Sequence, residues 1–143
     1  MKYRLMNLSD YECLISFWQT TQGVKLRDAD AITGIKKYLT RNPDLSFVAE
    51  YKNEIVGSIM SGHDGKRGYI QHLAVKPNIR KSGVATELLS YCINALKEEG
   101  IVKSHIHVLS DNELAKNFWA QRGWKKRNDI DVYSFINGGN DNT

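Results

Sequence analysis

The sequence predicts an α/β protein: a mixed, mostly antiparallel twisted sheet with helices on both faces, in the order β-α-α-β-β-β-α-β-α-β-β. Three observations predict it. The hydrophobic spacing switches along the chain between a helical period and a strand period of two. Three consecutive strand-like segments are joined by short turns, which reads as an antiparallel meander. One strand–helix–strand crossover, over residues 69–109, demands a parallel pair. With 143 residues and no repeat or linker, one domain is expected over 1–136, followed by a frayed low-complexity tail, "NGGNDNT", over 137–143.

The elements follow in order. "YRLMN" is a short strand. Ser9 and Glu12 form an S-x-x-E capping box ahead of Tyr11, Leu14, Ile15 and Trp18, which recur at helical spacing. Ala31, Ile32, Ile35, Tyr38 and Leu39 mark a second amphipathic helix, closed by Pro43. Leu45, Phe47, Ala49 and Tyr51 then alternate as a half-buried strand does. "KNE" is a tight turn into "IVGSIMSG", and "HDGKRG" a looser one into "YIQHLAV". A long helix from about Gly83 to Glu99 buries Ala85, Leu88, Leu89, Cys92 and Leu96, and Gly100 ends it. "SHIHVLS" is a strand and "DNELAKNFWAQRG" a short helix. "WKK" and "DVYSFIN" are read as a closing strand pair.

Composition excludes several classes. Hydrophobic residues make up 41% and charged residues 25%, an ordinary globular balance. No apolar run approaches the ~18 residues of a membrane span, and the N-terminus turns polar too soon for a signal peptide, so a cytoplasmic protein without a membrane partner is expected. The net charge of +4 suits anionic ligands, but the basic residues are scattered in short groups, which argues against a nucleic-acid partner. Cys13 and Cys92 both fall in helical patterns and read as free buried thiols. The apolar "IDVYSFIN" is an edge that either pairs with a second chain, giving a homodimer, or is covered internally.

The stretch that carries chemistry is "LAVKPNIRKSGVATELL", residues 73–89. A strand leads into a turn of basic and small residues that opens a helix. A helix N-terminus presents unpaired N–H groups and the positive end of its dipole, and small residues let an anion approach them. A phosphate socket and a plain helix cap both fit this stretch.

The stretch resembles the acyl-CoA-binding motif of the GNAT superfamily of N-acetyltransferases, Q/R-x-x-G-x-G/A after a strand, matched by Arg80, Gly83 and Ala85. That family's second signature, an Asn, a short helix and G-[FWY], is similar to "NELAKNFWAQRGW". With the element order, the resemblance covers residues 2–136. It implies a GNAT-like sheet, acetyl-CoA as cosubstrate, and direct transfer of the acetyl group to a primary amine of a small molecule or protein; no metal is expected, because no Cys or carboxylate at useful spacing completes a ligand set with His105 and His107. It further implies that Arg80, Lys81, Ser82, Gly83, Val84 and Ala85 hold the pyrophosphate. Leu73, Ala74 and Val75 would pair with the pantetheine arm, and Asn112 would contact that arm or cap its helix.

Acyl transfer to an amine needs a base, an oxyanion donor and an acid for the thiolate. The family's usual acid, a Tyr seven residues after the Asn, is here Trp119, whose indole has no acidic proton to give. Ser110, Tyr133 or a water is the substitute. For the base, His107 lies five residues before Asn112, where some protein-acetylating members carry a Glu. An imidazole suits neutral pH, and a structural strand histidine is the competing reading. His72 is a second candidate. In the loop before the second helix, Asp28 and Asp30 suit an amine, whereas Lys25 and Arg27 suit a carboxylate. The missing Tyr also motivates a rival reading, a non-catalytic acyl-CoA-binding or sensor module.

Overall fold

The computed structural model describes all 143 residues. Contacts gather them into two units, Met1–His107 and Val108–Thr143. In the first unit β1 (Lys2–Leu5) is followed by α1 (Tyr11–Gln19), α2 (Ile32–Arg41), β2 (Phe47–Tyr51), β3 (Glu54–His63) and β4 (Gly68–Val75). Then come α3 (Val84–Glu98) and β5 (Ser104–Ile106). The sheet order is β1-β2-β3-β4-β5. All neighbours are antiparallel except β4 and β5, which the α3 crossover makes parallel. No helix is long and apolar enough to cross a membrane.

Local chemistry sets the turns. Lys52 and Asn53 both have positive φ, 51° and 64°, the mirror-image turn that matches the twist of a tight hairpin. In the looser turn, Asp64 Oδ1 accepts the backbone N–H groups of Lys66 and Arg67. The first helix is capped two residues earlier than "S-x-x-E" suggests. The Asn7 N–H donates to Asp10 Oδ2 at 2.8 Å, and a single 3-10 turn, Leu8–Asp10, precedes α1. Asp10 wins because its carboxylate is also fixed from the sheet.

Both sheet faces are covered. On one, α1 and α2 place Leu14, Phe17, Trp18 and Ile35 against Val48, Met60 and Ala74. Trp18 is fully buried and its Nε1–H donates to Ser58 Oγ at 2.8 Å, so its one polar atom is satisfied. Truncating such a tryptophan costs about 4 kcal/mol. On the other face α3 packs so closely that a Cβ on Gly57 would lie 3.1 Å from both Leu88 and Val84. The expectation of a half-buried β2 is therefore wrong. Phe47, Val48 and Ala49 are buried in succession because helices lie over both faces. Cys13 corrects a second expectation. It is exposed, on the outer side of α1 beside buried Leu14, whereas Cys92 is buried.

The second unit holds α4 (Glu113–Gln121). Trp119 is buried and stands edge-on to Trp124, their ring centroids 4.6 Å apart. The expected closing strands are not formed. Residues 124–136 pair with no strand, and Val132, Tyr133 and Phe135 are 69%, 93% and 89% exposed. Alternation in "DVYSFIN" expresses a capacity for strand structure, which needs a pairing partner to be realised.

Arg4 ties β1 to β2 and to the turn that opens α1. Its guanidinium donates to Asp10 Oδ1 and Oδ2 at 2.8 Å each, and its Nε to Glu50 Oε1 at 2.7 Å. Burial pushes the Asp10 carboxyl up, but the Arg4 fork, the Asn7 N–H and the Arg4 charge outweigh it and hold Asp10 below the usual carboxylate range. A depressed carboxyl contributes stability above its unfolded value, 3.8, that is lost as the pH falls through its folded one. Replacing Arg4 by Met should cost about 2 kcal/mol at neutral pH. In urea denaturation followed by circular dichroism, the gap between wild type and variant should close as the pH falls below 3.8 and through the depressed folded value of Asp10. A gap that stays constant would remove the ion pair from the account.

Candidate functional site

The distinctive feature of the first unit is the way β4 parts from β5. Their pairing covers only Gly68↔Ser104, Tyr69↔His105 and Ile70↔Ile106. β4 continues to Val75 beside β3, so residues 71–75 have no strand on the β5 side. An open edge of this kind offers backbone N–H and C=O groups to an extended ligand.

At that same place β4 bulges. Ser58 pairs with Ala74 and Met60 with Gln71, so His72 and Leu73 together oppose Ile59. His72 has φ +49°, a left-handed backbone that costs a side-chain-bearing residue energy and re-aims its side chain. The ring turns onto the α1 side, 4.8 Å from the Trp18 ring. Its Nε2 lies 2.7 Å from Asp30 Oδ1, with both side chains largely buried. The Ser58 hydroxyl donates to the His72 carbonyl at 3.3 Å and accepts from Trp18.

Asp30 is held as firmly. It ends a short 3-10 turn, Asp28–Asp30, where Oδ2 accepts the Arg27 N–H at 2.8 Å. Its carbonyl accepts the Tyr11 hydroxyl at 3.0 Å. Burial raises the Asp30 carboxyl, yet the His72 hydrogen bond, the Arg27 N–H and the His72 charge prevail and keep it below the ordinary range.

Beyond β4 the chain makes a 3-10 turn, Pro77–Ile79, and enters α3 through Gly83, whose φ of +86° suits glycine. The first helical bond runs from Glu87 N to Gly83 O. The N–H groups of Lys81, Ser82, Gly83, Val84 and Ala85 have no acceptor within the chain. Arg80 Nε donates to Val75 O at 3.1 Å and the Ser82 hydroxyl donates to Ile79 O, which together fasten the turn to the strand end. Five free amides at a helix start, next to an open strand edge, can hold an anionic group and the extended arm attached to it.

The other sequence candidates are placed less tightly. His107 is exposed one residue past the end of β5, and Ser110 is exposed in a turn. His105 lies 5.9 Å from the Tyr69 ring. Asn112 caps α4, its Oδ1 accepting the Ala115 N–H at 3.0 Å. No three His, Cys, Asp or Glu side chains converge as metal ligands would. The Asp30–His72 pair eluded sequence reasoning as a pair. Each residue stands out alone, but 42 positions separate them, and only the bulge brings them together.

The fold and site define an open-edged mixed sheet whose parted strand leads into a helix start with free amides, and comparison with known proteins assigns its family. The model of the Acetyltransferase (GNAT) family matches residues 11–124. An acetyltransferase of Pectobacterium atrosepticum is 36% identical over 113 residues, 79% of each chain. One of Sodalis glossinidius is 31% identical over 130 residues, 91% of each chain. Among solved structures, a predicted acetyltransferase from Clostridium acetobutylicum with acetyl-CoA superposes with a TM-score of 0.75 at 20% identity, over 93% of this chain and 95% of that one. The PaiA N-acetyltransferase of Thermoplasma acidophilum, in complex with coenzyme A, gives 0.76 at 19% identity, over 91% and 92%. The chain belongs to the GNAT family of acetyltransferases.

Gly34 tests how the Asp30 turn is held. A Cβ there would overlap the Ala29 carbonyl oxygen, so the backbone and not a flexible side chain must move. Gly34→Ala, which by helix propensity gains about 1 kcal/mol, should instead destabilise. Thermal melting should show a lower Tm. A raised Tm would mean that the turn yields freely.

Proposed function

We propose that the protein transfers an acetyl group from acetyl-CoA to a primary amine by direct attack in a ternary complex. The observation that carries this reading is the row of five unbonded amides, Lys81 to Ala85, opening α3 directly beyond the open part of β4. The amides and the helix dipole suit the pyrophosphate. Lys81 is exposed and adds charge, and the Arg80 guanidinium keeps its terminal nitrogens for a phosphate while Nε stays on Val75 O. Leu73, Ala74 and Val75 offer the pantetheine amides a strand-like partner. Among the structural relatives, AAC(6')-Iy is in complex with a bisubstrate analogue, CoA-S-monomethyl-acetylneamine. It superposes with a TM-score of 0.75 at 17% identity, over 94% of this chain and 97% of that one. This supports an amine acceptor and a ternary complex as the order of events here.

Trp119 favours a second reading. It is buried among aromatic rings at the position where the family resemblance expects a Tyr acid, which suits a module that binds acyl-CoA without turning it over.

Calorimetric titration of the purified protein with acetyl-CoA should give a Kd of roughly micromolar order, about −8 kcal/mol. CoA lacking its 3′-phosphate, and separately the Arg80→Ala and Lys81→Ala variants, should bind more weakly. Gly83→Ala has room for its methyl but forces a left-handed backbone at about 1–2 kcal/mol, and should weaken binding about tenfold. Absence of acetyl-CoA binding would overturn the assignment. Binding without release of free CoA in the presence of any amine would favour the non-catalytic reading.

A further inference from the structure

We propose that His72 is the base that takes the proton from the acceptor amine, and that Asp30 is the positioning residue that fixes its tautomer. The inference rests on the acetyltransferase reading above and deepens it. It also prefers His72 to His107, the base suggested by the family resemblance.

Four observations carry it. The first is position. His72 occupies the bulge just past the last β4–β5 pair, at the start of the edge that would take the pantetheine arm. The thioester at the end of that arm and the ring of His72 thus share one stretch of β4. The second is fixation. Nε2 is 2.7 Å from Asp30 Oδ1, and Asp30 is itself anchored by the Arg27 N–H and, through its carbonyl, by the Tyr11 hydroxyl. A carboxylate only accepts, so Nε2 must carry the hydrogen in the neutral ring and Nδ1 must hold the lone pair.

The third is availability. His72 Nδ1 has no hydrogen-bond partner in the chain, and the unpartnered polar atoms sealed from solvent do not include it. The side chain is 14% exposed, so the nitrogen left for chemistry is reached by a narrow approach. The fourth is cost. A histidine at φ +49° in the middle of a strand, its ring tilted against buried Trp18, its Nε2 on Asp30 and its carbonyl bonded by Ser58, is held in a strained conformation by three elements. His107 has none of these supports; it is exposed beyond its strand.

The step balances without further reactants. Nδ1 of neutral His72 takes one proton from the ammonium group of the acceptor. The freed nitrogen lone pair forms a bond to the acetyl carbon, and the C–S bond breaks with its electrons on sulfur. The second nitrogen-bound proton passes to the thiolate, giving CoA and the amide, and His72 returns its proton to solvent. Asp30 stabilises the transient imidazolium without itself becoming protonated, and the Tyr11 hydroxyl, the Arg27 backbone N–H and the Ser58 hydroxyl hold the pair in place.

Two measurements decide it. In the first, imidazole nitrogens of ¹⁵N-histidine-labelled full-length protein are observed by NMR. The His72 signals should show hydrogen on Nε2 and a bare Nδ1 that shifts on addition of acetyl-CoA, and Asp30→Asn should leave a mixture of tautomers. Hydrogen on Nδ1, or a ring that ignores acetyl-CoA, overturns the proposal. In the second, CoA release is followed with acetyl-CoA and each of spermidine, kanamycin and a lysine-containing peptide. With whichever is turned over, His72→Gln should lower kcat about 100-fold or more while the acetyl-CoA Kd stays within about threefold. Asp30→Asn should lower kcat about tenfold. Added imidazole should restore part of the rate of His72→Gly, a variant that the left-handed backbone accommodates and that a merely structural role would not rescue.

Turnover retained in His72→Gln, or lost instead in His107→Gln, overturns the dyad. If wild type turns over none of the three amines, the NMR outcome decides alone. Failure of wild type to bind acetyl-CoA sinks the transferase reading. Binding that survives beside an indifferent His72 sinks only the dyad.

Discussion

The structure depends on one constraint: β4 pairs with β3 along nearly its whole length but with β5 for only three residues. A strand that kept both neighbours would satisfy its own hydrogen bonds and leave nothing for a ligand. By parting from β5 after Ile70, the sheet presents backbone donors and acceptors at an interior strand, which the β1–β2–β3 meander holds flat on its other side. The bulge at His72 and Leu73 sits where that change occurs, and the chain reaches the α3 turn only seven residues after Leu73 has passed, with Arg80 clamped to Val75.

Rigidity at this opening comes from the two helix layers. Trp18, Ser58 and His72 form a continuous line of hydrogen bonds and ring contact from α1 through β3 to β4. Asp30 adds a fourth element by way of the α1–α2 connection. A buried polar line of this kind is costly if any member loses its partner, and fully satisfied it admits one arrangement. On the opposite face Gly57 lets α3 approach to van der Waals contact, which sets the height of the helix start relative to the end of β4. The Arg4 fork performs a comparable task at the far edge, where β1 has one strand neighbour and would otherwise be held by four pairs alone.

Local features were legible in the sequence. The turns at Lys52–Asn53 and Gly83, the parallel crossover and the buried stripe of α3 all follow from residues close in the chain, except that Val84 and not Ala85 opens the stripe. The cradle of amides was legible too, because a glycine, small neighbours and a helix stripe are adjacent there. What depends on three dimensions was not. The double burial of β2 requires knowing that helices cover both faces. The outward turn of Cys13 depends on which side of α1 meets the sheet. The closing strands were over-read from "DVYSFIN", since alternation records a preference and not a partner. The Asp30–His72 contact joins positions 42 apart through a bulge, and period-two counting along "YIQHLAV" assumes that no bulge exists.

The two cysteines bear on how catalysis by this protein is seen in practice. Cys92 is sealed on the inner side of α3, its Sγ–H donating to Leu45 O at 3.3 Å, and burial pushes its thiol up to about 12 despite the neighbouring Ser61 hydroxyl. Cys13 lies open on α1. Because the thiolate is the reactive form, a dye that detects the thiol of released CoA meets one accessible protein sulfur per native chain, and a second only when the core opens. The same reagent thus reports turnover above a fixed stoichiometric baseline, and a baseline that climbs toward two per chain signals unfolding in the cuvette.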